Sequence, residues 1–212
     1  MLYKNLIWDF DGMLFDSYPH VHAAYMKALA DVGKPVDPDG LMAALKVSFH
    51  TAHDYVGADE ALIKRFKEYE ADMDLEPVVY PYEGIVDLIR DTHAAGVRHF
   101  LFTHRDRMAL NYLERAGVLD CFTGWVTKSD RERGVFVRKP KPDSILYLLK
   151  THNIDPTDCA MVGDREIDVC SGIGAGTRGI LFDEFHSLGE TVAQHRVYTI
   201  AELRGLLFTE KN

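Results

Sequence analysis

The sequence predicts an α/β protein whose parallel sheet, covered by helices on both faces, is interrupted early by an all-helical insert. Three observations carry this expectation. A short apolar-rich run at 2–8 ends in the acidic cluster Asp9-Phe10-Asp11-Gly12, which reads as a buried strand with a functional turn behind it. Residues 19–73 keep a helical period and hold no convincing strand. Beyond Pro77 strand-like runs alternate with helical segments, the pattern of strands joined by crossover helices.

Within the insert, Val21, Ala24, Tyr25, Ala28 and Leu29 fall on one helical face. Pro19 stands near the start of that helix, where its missing N–H costs little. Pro35, Pro38 and Gly40 break the pattern, and 41–56 and 60–73 read as further helices. In the alternating part, a helix at 84–95 ends at Gly96 and a strand at 99–102 stops at Thr103-His104. A helix at 107–116 ends at Gly117, and a short strand follows at 125–127. The remaining elements are a helix at 143–151 behind Pro142, a strand at 159–162 running into Gly163-Asp164, and a helix to 173. A strand at 178–182, a short strand at 197–199 and a helix at 201–208 complete the chain.

Composition narrows the partners. With 47% apolar residues, 212 residues bury a full core without disulfides or structural metals. A net charge of -9 opposes nucleic acid or an anionic membrane as the main partner, since both need a positive field. A small phosphorylated metabolite remains compatible, because a bound cation reverses the local charge of its site. Cys121, Cys159 and Cys170 form no metal-binding or disulfide pattern, as expected of reduced thiols in the cytoplasm. No apolar run approaches a membrane span, and no signal region opens the chain.

In open parallel sheets, ligands bind beyond the carboxyl ends of the strands. The residues at those ends are Asp9 and Asp11, Thr103 and His104, and Gly163 and Asp164, with Lys139 and Lys141 in the segment Arg138-Lys139-Pro140-Lys141-Pro142. Four motifs emerge: Leu6-Ile7-Trp8-Asp9-Phe10-Asp11-Gly12, Phe100-Leu101-Phe102-Thr103, Lys139-Pro140-Lys141-Pro142 and Met161-Val162-Gly163-Asp164-Arg165-Glu166-Ile167-Asp168. In this order and spacing, over most of the chain, they resemble the haloacid dehalogenase-like (HAD) hydrolase superfamily. The branch is that of phosphoglycolate phosphatase and β-phosphoglucomutase. Met13 departs from the Thr or Val usual after the glycine; it is expected to contribute mainly backbone.

The resemblance implies a Rossmann-like doubly wound sheet of order 3-2-1-4-5, with a core of 1–16 and 79–212 and a mobile helical cap of 17–78. It implies hydrolysis of a small phosphate monoester through an aspartyl phosphate on Asp9, with Mg²⁺ held by Asp9, the Asp11 carbonyl and Asp164. Asp11 serves as general acid and base, Thr103 and the His104 amide bind the phosphoryl group, and Lys139 bridges phosphate and nucleophile, with Lys141 as its rival. Asp168, one helical turn beyond Asp164, orients metal-bound water or Lys139. Tyr25, Lys46 and His50 are candidates for substrate selectivity in the cap. His104 and Arg105 are expected to border the substrate or to lie in a solvated loop. The partner is a small phosphorylated metabolite, with the chain acting as monomer or homodimer.

Blander expectations accompany these. Asp16 and Ser17 read as caps of the first insert helix. His20, His22, His50 and His53 read as ordinary partly exposed histidines rather than a metal site, and Gly172, Gly174 and Gly176 as packing positions behind a helix. A phosphomutase is the nearest rival, but 44–57 lacks the arginine that the mutase pattern places there. A non-catalytic binding protein would not need this whole residue set. A calcium loop is discarded because Gly12 comes too early and a distal bidentate glutamate is missing.

Overall fold

Buried apolar strands lying side by side in one sheet need helices on both faces, and the computed structural model shows that arrangement over its described residues, 1–72, 79–186 and 188–209. The chain divides into two compact units, Met1–Phe15 with Pro81–Asn212, and Asp16–Tyr80. The expected helix end at Met73, the break at Pro77 and the boundary at 78 fall outside the described residues.

Strands β1 (Asn5–Trp8) and β2 (Phe15–Asp16) precede the helices of the second unit. Helices α1 (Tyr18–Asp31), α2 (Pro38–Val47), α3 (Phe49–Val56) and α4 (Glu60–Glu70) build that unit, and β3 (Tyr80–Pro81) leads back. There follow α5 (Ile85–Ala94), β4 (Arg98–Phe102), α6 (Met108–Arg115), β5 (Phe122–Val126) and α7 (Asp143–Thr151). The chain then runs through β6 (Cys159–Gly163), α8 (Glu166–Gly174), β7 (Arg178–Phe182), β8 (His195–Val197) and α9 (Ile200–Leu207).

The main sheet has order β5-β4-β1-β6-β7-β8, and its paired strands are parallel. This is the expected order, extended at one edge by β8. Ile7 lies opposite Phe100 on one side and Met161 on the other, and all three are fully buried. Strand order reverses on either side of β1, so the turn after Trp8 opens at the switch point where such sheets bind ligands.

A polar chain runs under that turn. Trp8 Nε1–H can only donate, and it donates to His99 Nδ1 at 2.9 Å. The other ring nitrogen of His99 lies 3.2 Å from Thr92 Oγ1, which itself donates to the Leu88 carbonyl at 2.6 Å. Burial, with help from His93, lowers the His99 pKa to about 3, so the ring is neutral.

The helical unit has its own core of Val21, Ala24, Tyr25, Leu29, Leu41 and Phe66, among others. The helix expected at 41–56 is two helices. Ser48 turns extended and its hydroxyl accepts the Thr51 N–H, capping α3 and ending α2 one residue earlier. Ser17 makes no side-chain cap bond to α1, whereas Asp16 accepts from the Tyr18 backbone. Met13 is fully buried, so it contributes a packed side chain as well as backbone.

Candidate active site

Gly163 closes β6, and its bare Cα allows Asp168 to fold back over the strand end; a Cβ there would stand 2.3 Å from Asp168 Cβ. Asp168 is the third residue of α8 and accepts the Arg165 N–H at 3.0 Å through Oδ2. Its other oxygen, Oδ1, lies 2.8 Å from Lys139 Nζ. The same ammonium donates to Asp9 Oδ1 at 2.6 Å. All three side chains are essentially without solvent contact.

Such burial is costly for a charge unless it is paired and hydrogen-bonded. Burial opposes the Lys139 ammonium, but Asp168 and Asp9 outweigh it and raise the lysine above its usual pKa. Burial likewise pushes Asp168 up, yet Lys139 and Arg165 hold it below the usual carboxylate range. For Asp9 burial dominates; Lys139 opposes it, the Asp168 charge adds to it, and the pKa rises to about 6. One lysine therefore does not fully neutralise two carboxylates.

The remaining Asp9 oxygen, Oδ2, is buried and accepts no hydrogen bond from the described residues; Arg165 Nη2 is 3.8 Å away. Carboxylate oxygens of Asp9, Asp164 and Asp168 lie within 4.8 Å of one another. Asp168 is committed to Lys139 and to the helix N-terminus, so Asp9 and Asp164 are the pair that a divalent cation fits. Hard oxygen donors in a partly neutralised acidic pocket suit a hard divalent cation, which takes a few carboxylates and completes its shell with other oxygens.

The loop after β4 supplies the facing wall. Thr103 is fully buried, and its hydroxyl accepts the Arg105 N–H at 3.0 Å. His104, expected at the phosphate, uses its ring otherwise: Nε2 accepts the Lys139 N–H at 3.0 Å, which holds the lysine segment in place. Burial, reinforced by the Lys139 and Arg165 charges, lowers the His104 pKa to about 3 and keeps that nitrogen an acceptor. Lys141 is exposed, with its backbone in a turn to Arg138, so Lys139 is the lysine that reaches Asp9.

Two arginines complete the site, and sequence reasoning missed what they do. Arg105 grips both oxygens of Asp11, with Nη2 at 2.6 Å and Nε at 3.1 Å from Oδ1 and Nε at 3.3 Å from Oδ2. Arg165 spans Asp9 and Asp164, with its Nε 3.6 Å from Asp164 Oδ1. Their signal was weak: each follows a motif residue by one or two positions, as many solvated arginines do.

In the helical unit, the expectation for Tyr25 is corrected. Its ring is fully buried, stacks on Phe66 at 4.2 Å and hydrogen-bonds His53 through its hydroxyl, so it is a core residue. Lys46 is half-buried, and His50 is exposed beside Asp54 at 3.4 Å. The histidines are held by ordinary contacts: His20 by the Glu70 carbonyl, His22 by the Pro38 carbonyl and His53 by Tyr25. Gly172 is a packing position, where a Cβ would stand 2.5 Å from Met161 Cβ.

Comparison with known proteins gives the same result. The family model "Haloacid dehalogenase-like hydrolase" matches residues 6–182. Phosphoglycolate phosphatase 1 of Pseudomonas aeruginosa is 28% identical, over 96% of this chain and 78% of its own. N-acetylmuramic acid 6-phosphate phosphatase of Pseudomonas putida is 26% identical, over 84% of this chain and 82% of its own. The crystal structure of a hydrolase from Streptococcus pneumoniae TIGR4 is 35% identical, covers 99% of this chain and 100% of its own, and superposes with a TM-score of 0.70. The chain belongs to the haloacid dehalogenase-like hydrolases.

Proposed function

We propose that the chain is a Mg²⁺-dependent phosphatase of small phosphate monoesters, using Asp9 as nucleophile. The observation that carries this reading is the state of Asp9. It is buried at the switch point, with one oxygen on Lys139 and the other accepting no hydrogen bond from the described residues. An ordinary structural carboxylate has both oxygens satisfied.

In the first step Asp9 Oδ2 forms a bond to phosphorus as the bond to the substrate's alcohol oxygen breaks, and Asp11 gives that oxygen a proton. In the second step water attacks phosphorus and loses a proton to Asp11, and the Asp9–phosphorus bond breaks, releasing inorganic phosphate. Lys139 offsets charge between nucleophile and phosphoryl group throughout, while Thr103 and the His104 amide bind phosphoryl oxygens. Asp168 is a positioning residue that aims Lys139. Asp9, the Asp11 carbonyl and Asp164 would hold Mg²⁺, which when bound offsets the repulsion between carboxylate and phosphate dianion. The two phosphatases named above, acting on phosphoglycolate and on N-acetylmuramic acid 6-phosphate, support the reaction class without choosing the substrate.

We place this activity in the cytoplasm, which suits three unpaired cysteines. Among the described residues no helix is long and apolar enough to cross a membrane. The partner is a small phosphorylated metabolite rather than nucleic acid, met by a monomer or homodimer. Lys46 and His50 of the helical unit remain the proposed selectivity residues.

The test is phosphate release from a panel of phosphoglycolate, sugar phosphates, nucleotides and an aryl phosphate, with Mg²⁺ or chelator. Wild type should release phosphate only with metal, and Asp9→Asn should lose about 10³-fold or more. Full activity in Asp9→Asn would sink the proposal, as would a wild type silent across the panel.

A further inference from the structure

Arg165 opens α8 with an extended backbone. Its N–H donates to Asp168 Oδ2 at 3.0 Å, and its carbonyl accepts the Asp168 N–H at 3.0 Å. With the backbone pinned on both sides, the guanidinium moves only by turning its own side chain, which is 18% exposed and so has an outlet to solvent. Inward it faces two carboxylates, with Nη2 3.8 Å from Asp9 Oδ2 and Nε 3.6 Å from Asp164 Oδ1. Both separations are longer than a hydrogen bond. Arg165 therefore holds these two oxygens by charge, unlike Arg105, whose fork grips Asp11 at 2.6 Å.

These are the two carboxylates that a divalent cation fits. Asp9, Asp164 and Asp168 bring negative charge to one spot, and Lys139 and Arg165 bring positive charge to it. The Arg165 charge favours the ionised forms of both Asp9 and Asp168, so it is felt across the site. A guanidinium this close cannot share the carboxylates with a divalent cation without repulsion between the two. The divalent ion is the stronger claimant. Twice the charge at about 2.1 Å attracts a carboxylate oxygen about 3.5 times as strongly as one charge at the Arg165 distances. Its entry is opposed all the same.

We infer that Arg165 sets the divalent-cation affinity of the site: it competes with the ion for Asp9 and Asp164 and gives way to it toward solvent. The arginine keeps both carboxylates compensated while the ion exchanges, and makes the ion more weakly bound and more readily released. This rests on the metal assignment within the phosphatase reading above and deepens it.

The test is titration calorimetry of Mg²⁺ into the whole chain at constant ionic strength, without any phosphate ester, in wild type, Arg165→Gln, Arg165→Ser and Arg165→Lys. The two neutral variants should bind Mg²⁺ about tenfold more tightly than wild type. Arg165→Lys keeps a charge and should stay within about threefold of wild type. Serine is favoured at a helix start, so Arg165→Ser supplies a folded reference where the glutamine variant folds poorly. In chelator Arg165→Gln should melt below wild type, because Asp9 loses a compensating charge, and saturating Mg²⁺ should narrow that gap. A gain below about threefold in both neutral variants overturns the inference, as does an equal gain in Arg165→Lys. Weaker binding of inorganic phosphate with unchanged Mg²⁺ affinity also overturns it and assigns Arg165 to the phosphoryl group. In each of these cases, phosphate release that still requires Mg²⁺ leaves the phosphatase reading standing. A wild type that neither binds Mg²⁺ nor releases phosphate removes both.

Discussion

Lys139 Nζ lies 2.6 Å from Asp9 Oδ1 with neither side chain reaching solvent, and the same ammonium pairs with Asp168 at 2.8 Å. One cation thus joins the turn after β1 to the first turn of α8. Lys139→Met would leave two buried carboxylates facing each other. Stability in urea should fall by about 3–5 kcal/mol, the cost of breaking a buried pair from one side. Turnover should fall about 10³-fold. Retention of more than about a tenth of wild-type turnover would remove Lys139 from the chemistry.

The pairing of Asp9 with Asp164 bears on the metal. A cation that binds the folded chain and not the unfolded one raises the melting temperature with its concentration. Mg²⁺ should therefore raise Tm and chelator should reverse the rise. Asp164→Asn, which keeps shape and removes one charged donor, should fold but lose most of the Mg²⁺-dependent shift. An undiminished shift would move the metal elsewhere.

Gly163 tests how the strand end shapes the site. A Cβ there would meet Asp168 Cβ at 2.3 Å, Cγ at 2.6 Å and Oδ2 at 2.7 Å. Gly163→Ala must push Asp168 off Lys139 or distort β6, at a cost of about 1–3 kcal/mol for overpacking. Phosphatase activity should fall by more than about tenfold while far-ultraviolet circular dichroism stays native. A fully active alanine variant would mean that Asp168 does not aim the lysine.

His99 sets a pH dependence of stability. Its ordinary pKa is 6.5, and in the fold, through burial, about 3. Between these values the unfolded chain binds a proton that the folded chain refuses. The stabilising contribution is therefore complete above about pH 6.5 and declines as pH falls toward 3, by up to about 1.4 kcal/mol per pH unit. Urea titrations at stepped pH should show this slope, and His99→Gln should flatten it. A slope unchanged in the variant would assign the effect to other groups, His104 first, whose pKa is lowered to the same value.

Much of this protein was legible in its sequence, for identifiable reasons. The strand and helix of 143–182 could be read closely because Pro142, Gly163 and Gly176 punctuate continuous apolar runs. The break at Ser48 was missed because 41–56 keeps one helical period across it, and only the Ser48 cap bond shows the two helices. β8 was placed two residues late, since its pairing with β7 through Ile180 and His195 depends on a long-range partner. In the site, Asp9, Thr103, Lys139, Asp164 and Asp168 were marked by motif spacing. Tyr25 was misread because a helical face gives a side chain's direction but not what lies beyond it, here Phe66 and His53.

The sequence by itself determined the order of the main elements, which carboxylates lie at strand ends and which lysines lie between the later strands, because strand period and turn residues are local properties. Only the tertiary structure decided between Lys139 and Lys141, assigned the His104 ring to the lysine segment, and set Arg105 upon Asp11. Those outcomes depend on groups brought together from positions 35, 94 and 130 residues apart. Buried charges pair with whichever partner the fold brings within hydrogen-bond reach, and that distance is not written in the local chain.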